Sequence, residues 1–133
     1  MNAKTHWELT RDGAKDKHIT TVELPMVLPS NANLREHWAQ RAKRTRSQRD
    51  IVKLTCTALF RAEGVKAPCT VRLIRISPRP LDGDNLVSSF KAVQDGVADA
   101  LGVDDRDIRV QWSYNQQRGG PKEHLLRIVV GRQ

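Results

Sequence analysis

Asp82 and Asp84 stand two residues apart in Leu81-Asp82-Gly83-Asp84-Asn85-Leu86, and a second acidic pair, Asp104-Asp105, closes the helical stretch that follows. Carboxylates brought together repel one another, and a hard divalent cation, Mg²⁺ above all, is the usual relief. The chain that carries them is basic, with 23 Lys+Arg against 15 Asp+Glu and a net charge of +8. Acids concentrated in one region of a cationic protein suit metal-assisted hydrolysis of a phosphodiester. In that chemistry, carboxylates hold ions that orient water and neutralise the charge growing on the phosphate. A nearby ammonium stabilises the transition state or helps deprotonate the water, and Lys91 is the candidate.

The spacing supports a shared site. On one continuous helix Lys91 falls about 20° short of two full turns from Asp84, and Asp95 about 20° past three. Ser88 lies near the same stripe, so Asp84, Ser88, Lys91 and Asp95 share one face, opposite Leu86, Phe90 and Val97. Asp82 and Asp84 point the same way along an extended approach. Bringing Asp104 or Asp105 back to this end requires tertiary packing. Taken singly, each residue has a plainer reading. Asp84 suits a helix N-cap and Asp82 a turn before Gly83; Asp104-Asp105 suit a solvated loop, and Lys91 with Asp95 a surface ion pair. The joint pattern favours chemistry. His6, His18, His37 and His124 are scattered, and neither a Ser/His/Asp arrangement nor a Gly-rich phosphate loop is present.

These residues need elements to position them. Residues 1–17 read as a polar arm, and residues 18–133 as one α/β (α+β) domain of βαβαββ order, a small mixed sheet packed by two helices. Ile19, Val22, Leu24, Met26 and Leu28 suit a strand over 18–28, with Pro25 at an edge or bulge. Ser30 or Asn33 is available to cap a long helix over about 34–63, basic in its first half and packing through Ile51, Val52, Leu54, Ala58, Leu59 and Phe60. Gly64 ends it. Cys69–Ser77 reads as a strand that Pro78-Arg79-Pro80 stops, aiming the chain into the Asp82 turn. A helix over about 85–101 carries the stripe Leu86, Phe90, Val93, Val97 and Leu101, and Gly102 terminates it. Ile108–Tyr114 and Leu125–Val130 are expected to close as a hairpin across Gly119-Gly120-Pro121.

The charge and a pI near 10.1 point to a polyanion such as nucleic acid. Arg35, Arg41, Lys43, Arg44 and Arg46 on the basic helix, with Arg79 on a loop beside the acids, are the candidate phosphate contacts. Trp38 and Trp112 read as core residues, and Trp7 as a wedge or dimer contact. No apolar run reaches the roughly 18 residues of a membrane span, and the N-terminus lacks the apolar core of a secretory leader. Cys56 and Cys69 lack metal-ligand spacing and read as reduced thiols of a cytoplasmic protein.

The stretch from Leu81-Asp82-Gly83-Asp84-Asn85-Leu86 through Lys91 and Asp95 to Asp104-Asp105 resembles the RusA family of Holliday-junction resolvases, phage-encoded relatives included. A strand ending in Pro29-Ser30-Asn31-Ala32-Asn33 before a basic helix, Leu34-Arg35-x-His37-Trp38, adds to the likeness, which spans about 18–130. The resemblance implies that Asp82, Asp84 and Asp105 are metal-binding catalytic carboxylates. The family's lysine, four residues after the second Asp, is replaced here by Ser88, and Lys91, one turn later, takes its role. Asp95, Asp104 and Ser88 are possible additions to that site. The resemblance further implies Mg²⁺ (with Mn²⁺ substituting), a homodimer, and paired nicks in four-way junctions or other branched DNA in the cytoplasm of a bacterial or phage-infected cell. The rival expectation, motivated by Ser88, is a branched-DNA-binding protein without turnover. An RNA-binding basic protein, with the Asp pairs as caps, is a third.

Overall fold

β3 (Cys69–Ser77) is the strand on which the fold is built. Its residues are mostly apolar, and a strand of this kind is stable only with partners on both edges. In the computed structural model, which describes residues 2–9, 15–30 and 37–132, it has both. β4 (Val110–Arg118) runs parallel to it, with Val71 opposite Trp112 and Leu73 opposite Tyr114. β5 (Leu125–Arg132) runs antiparallel on the other side, with Val71 opposite Val130 and Leu73 opposite Ile128. β2 (Lys15–Pro25) adds to β5, and β1 (Asn2–Leu9) adds to β2, giving a five-stranded mixed sheet of order β1-β2-β5-β3-β4. The fold class is α+β, as expected.

Two strand assignments change. Asn2–Leu9 is a strand within the expected polar arm, paired antiparallel with β2 from Asn2 opposite Glu23 to Leu9 opposite Lys15. An edge strand is held by ladder hydrogen bonds and need not show an apolar period, which is why composition hid it. The expected closing hairpin does not form either, because β3 lies between β4 and β5. The polar end of β4 still follows β3, and the Gly119 amide donates to the Ser77 carbonyl at 2.9 Å. The segment from Gly119 to His124 therefore arches over the end of β3.

The helices cover one face of the sheet. α1 (Trp38–Glu63) starts at His37, whose Nδ1 accepts from the Ala39 amide at 3.2 Å. Ser30 does not cap it, and Asn33 lies outside the described residues. Gly64 ends α1 in the left-handed conformation at φ 67°, where the Val65 amide reaches back to the Phe60 carbonyl. The buried stripe is Gln48, Val52, Cys56 and Phe60, whereas Ile51 and Leu54 of the expected packing set are exposed, Leu54 at 77%.

The predicted helix over 85–101 is two helices, α2 (Gly83–Ser89) and α3 (Lys91–Leu101), joined at Phe90. There the backbone turns to φ −91°, ψ −2°, and the Phe90 amide bonds only three residues back, to Val87. The Phe90 ring is fully buried and stacks on Tyr114 at 5.9 Å, so burial of this side chain compensates for the broken helical ladder. Leu86, Phe90, Val93 and Val97 join Val52, Cys56 and Phe60 of α1 over the inward strand residues Val71, Leu73, Val110, Leu126, Ile128 and Val130. On the opposite pleat Arg72, Gln111 and Ser113 are exposed. α1 and α3 touch at Gly96, where an added Cβ would lie 2.7 Å from the Arg49 carbonyl oxygen and 2.9 Å from Val52 Cβ. Cys56 and Cys69 are free and buried, and burial pushes the Cys56 thiol up to about 12.

Candidate active site

Lys91 opens α3, and its side chain ties together two acids that the chain separates. Its Nζ donates to Asp105 Oδ2 at 2.8 Å and to Asp95 Oδ1 at 3.0 Å. Tertiary packing thus brings Asp105 to Lys91, one of the residues of the expected face, rather than into a group with Asp82 and Asp84. The bond to Asp105, then that to Asp95, raises the Lys91 pKa, and the Lys91 ammonium in turn holds the Asp105 carboxyl below the usual carboxylate range. Lys91, Asp95 and Asp105 are thus one cluster, partly solvated.

Around it lie two adjoining recesses that share Arg49 and Asp95. One, of about 230 Å³, is walled by Asp95, Asp99, Asp104 and Asp105 with Arg49. The other, a cleft of about 430 Å³ between α1 and the α2–α3 segment, takes in Arg46, Arg49, Ser88, Lys91 and Asp95. Arg49 bridges the helices through a two-pronged ion pair with Asp99, Nε to Oδ2 at 2.7 Å and Nη2 to Oδ1 at 3.0 Å. That bond holds the Asp99 carboxyl below its ordinary range.

Asp82 and Asp84 sit apart from this cluster. Asp82 is the N-cap of α2, its carbonyl accepting from the Leu86 amide at 2.8 Å, but its side chain caps nothing. Asp84 is in the first turn, where a negative charge suits the helix dipole. Both are exposed, and neither carboxylate has a hydrogen-bond or ion-pair partner among the described residues. Among the described residues no three His, Cys, Asp or Glu side chains are grouped to hold a metal ion, so the expected trio Asp82, Asp84 and Asp105 is not assembled. The phase argument that grouped Asp84 with Lys91 and Asp95 needed one unbroken helix, and the chain breaks at Phe90. As a donor set, Asp82 and Asp84 still suit Mg²⁺, which commonly binds one or two carboxylates while keeping waters and taking substrate phosphates.

Of the possible additions, Asp104 accepts from the Arg106 amide at 2.9 Å and shapes its loop. The Ser88 hydroxyl donates to the Asn85 carbonyl at 3.1 Å and lines the cleft. Arg41, Lys43, Arg44 and Arg46 all lie on the first half of α1; Arg35 lies outside the described residues. Arg79 is exposed on the turn leading to Asp82. Trp38, expected in the core, is 76% exposed beside the basic run, an aromatic face of the kind on which bases stack. Trp112 packs against the core as expected, and the Trp7 side chain lies outside the described residues.

Two positioning residues escaped the sequence reading. Arg75, buried on β3, donates from Nε to the Leu28 carbonyl and from Nη1 to the Arg79 carbonyl, both at 2.8 Å. Gln116 of β4 pairs with the Leu81 backbone at both ends, accepting its amide at 2.9 Å and donating to its carbonyl at 2.8 Å. Together they pin the approach to Asp82. A polar residue in a strand carries no local signal of such a partner 35 residues away.

No family model matches the chain. An uncharacterized protein of Xylella fastidiosa (strain Temecula1 / ATCC 700964) is 38% identical over 97 residues, covering 68% of this chain and 63% of that protein. The chain thus spans less than two thirds of that relative's length. Among solved structures, 2C-methyl-D-erythritol 2,4-cyclodiphosphate synthase from Plasmodium vivax is similar at a TM-score of 0.32 and 13% identity, over 62% of this chain and 52% of that one. A likeness at that level carries no argument. No described helix is long and apolar enough to cross a membrane.

Proposed function

We propose that this protein is a Mg²⁺-dependent, structure-specific endodeoxyribonuclease of the RusA type that cuts branched DNA, four-way junctions in particular, in the cytoplasm. The observation that carries the reading is the junction of Lys91, Asp95 and Asp105 at 2.8 and 3.0 Å, beside a helix whose first half is strongly basic. In this reading α1 grips phosphates through Arg41, Lys43, Arg44 and Arg46 and sets the duplex against the acids. Asp82 and Asp84, without partners among the described residues, would hold Mg²⁺, which supplies an activated water and charge neutralisation when bound. Lys91 places a positive charge where the phosphate gains negative charge, and Asp105 fixes where that ammonium stands. Paired nicks on opposed strands require two copies of this site, hence a homodimer.

A second reading is favoured by one observation: among the described residues the three carboxylates named for the metal do not converge. On that ground the protein would bind branched DNA without turning it over. One experiment separates the two. A labelled four-way junction and a matched linear duplex are incubated with Mg²⁺ or Mn²⁺ and either wild-type protein or Asp84→Asn. The nuclease reading expects symmetric nicks in the junction alone, abolished by Asp84→Asn with binding retained. Junction binding without product would establish the second reading; cleavage unchanged in Asp84→Asn would remove Asp84 from the site.

A further inference from the structure

The cleft between α1 and the α2–α3 segment has three zones of different chemistry. Its mouth carries Arg46, which is exposed and enters no ion pair or hydrogen bond among the described residues, and opposite it Lys91, whose ammonium is paired with Asp95, also on the cleft wall, and with Asp105. Its sides include the small apolar residues Ala42 and Ala92. Its inner end is polar. Gln48 is 6% exposed in the middle of a helix, where a buried amide calls for an explanation. Its Nε2 donates to the Val27 carbonyl at 3.3 Å, which orients the amide and leaves Oε1 with no donor among the described residues. Ser89, which also lines the cleft and is buried, donates its hydroxyl proton to the Leu86 carbonyl at 2.6 Å, so its oxygen is left to accept. At about 430 Å³ the space lies in the range of small-molecule sites, roughly 300–1,000 Å³.

From this arrangement we infer that the cleft receives one unstacked nucleotide of the DNA substrate, base inward and phosphate at the mouth. A phosphate matches Arg46 and Lys91, and a flat apolar ring face matches the alanine walls. The acceptors at the inner end match an exocyclic amine on the base edge, so the cleft favours adenine, cytosine or guanine over thymine, which has no such amine. Extracting a base costs unstacking and unpairing energy, and that cost is smallest where pairing is already interrupted, as at a branch point. The cleft would thereby discriminate branched from linear DNA at the level of one nucleotide. The inference rests on the proposed action on branched DNA and adds to it the conformation in which the substrate is held.

The test uses four-way junctions carrying a single 2-aminopurine at successive positions beside the branch, bound by Asp84→Asn protein so that no product forms. 2-Aminopurine brightens when it leaves the stack, and among the described residues no aromatic ring lines the cleft to quench it. The expected result is a several-fold rise in emission at one position per bound strand, lost when Ala42→Leu narrows the cleft from its side. Ala42 is exposed, so that variant keeps the fold, which circular dichroism would verify. Bound junction with no position brightening overturns the inference, as does brightening that survives Ala42→Leu. If wild-type protein cuts the same junctions without any brightening, this inference fails and the nuclease reading stands. If no branched DNA binds at all, both fail.

Discussion

At the scale of single residues, the Lys91–Asp105 contact converts an ambiguous pattern into a geometry that can be tested. Its dependence on pH has a defined sign. The lowered Asp105 pKa means that the attraction is present above the unfolded value of about 3.9 and is lost as pH falls through the lower folded value. The raised Lys91 pKa means that it is present below about 10.4 and lost as pH rises through the higher folded value. Replacing the ammonium by a neutral chain of similar length, Lys91→Met, should move the Asp105 carboxyl upward in a carboxyl-carbon NMR titration, the hydrogen bond from Asp104 and the charge of Arg106 still holding it down in part. An Asp105 midpoint that does not move would mean that the bond is not made in solution. Gln116 acts at the same scale. Gln116→Leu removes both hydrogen bonds to Leu81, at a stability cost of about 1–2 kcal/mol for the exposed pair. If those bonds aim Asp82, the kcat for junction cleavage should fall at least about tenfold, roughly 1.4 kcal/mol in the barrier, with KM little changed. Loss of stability with kcat intact would assign Gln116 a structural role only.

At the scale of elements, the site depends on how closely α1 and α3 approach. Gly96 permits that approach, since a Cβ there would meet the Arg49 carbonyl oxygen at 2.7 Å. Gly96→Ala must therefore push the helices apart, and overpacking of this kind typically costs about 1–3 kcal/mol despite the better helix propensity of alanine. Urea unfolding would measure it, and a variant as stable as wild type would show that the helices yield without cost. The break at Phe90 works at the same scale. A helix continuing through this residue would keep Asp84 in phase with Lys91 and Asp95; ending α2 there lets Phe90 bury against Tyr114 and starts α3 at Lys91. The turn thus ends the single helical phase that would have carried Asp84, Lys91 and Asp95 on one face.

At the scale of the whole molecule, charge is the dominant property. With a net +8 and a basic first half of α1, binding to DNA should weaken linearly in log–log form with salt, by about 0.9 per phosphate neutralised. Lys43→Ala and Arg46→Ala should each lower that slope by about 1 without changing preference among base sequences. A slope unaffected by either would place the nucleic-acid surface elsewhere than on α1.

Much of this was legible along the chain, because the signals were local. Cys69–Ser77 as a strand, Gly64 and Gly102 as helix ends, and the apolar stripe Leu86, Phe90, Val93 and Val97 all follow from period and backbone preference within a few residues. So does the crowding of acids near Asp82 and Asp104-Asp105, with Lys91 and Asp95 one helical turn apart. What escaped depends on partners distant in sequence. Neither the strand at Asn2–Leu9 nor the insertion of β3 between β4 and β5 is marked by a period, since a ladder is made of backbone groups common to all residues. The Arg49–Asp99 bridge, the Gln116–Leu81 clamp and the Lys91–Asp105 bond join residues 50, 35 and 14 positions apart. Local propensity determined which residues carry charge and how each element turns; only packing of the elements decided which of those charges meet.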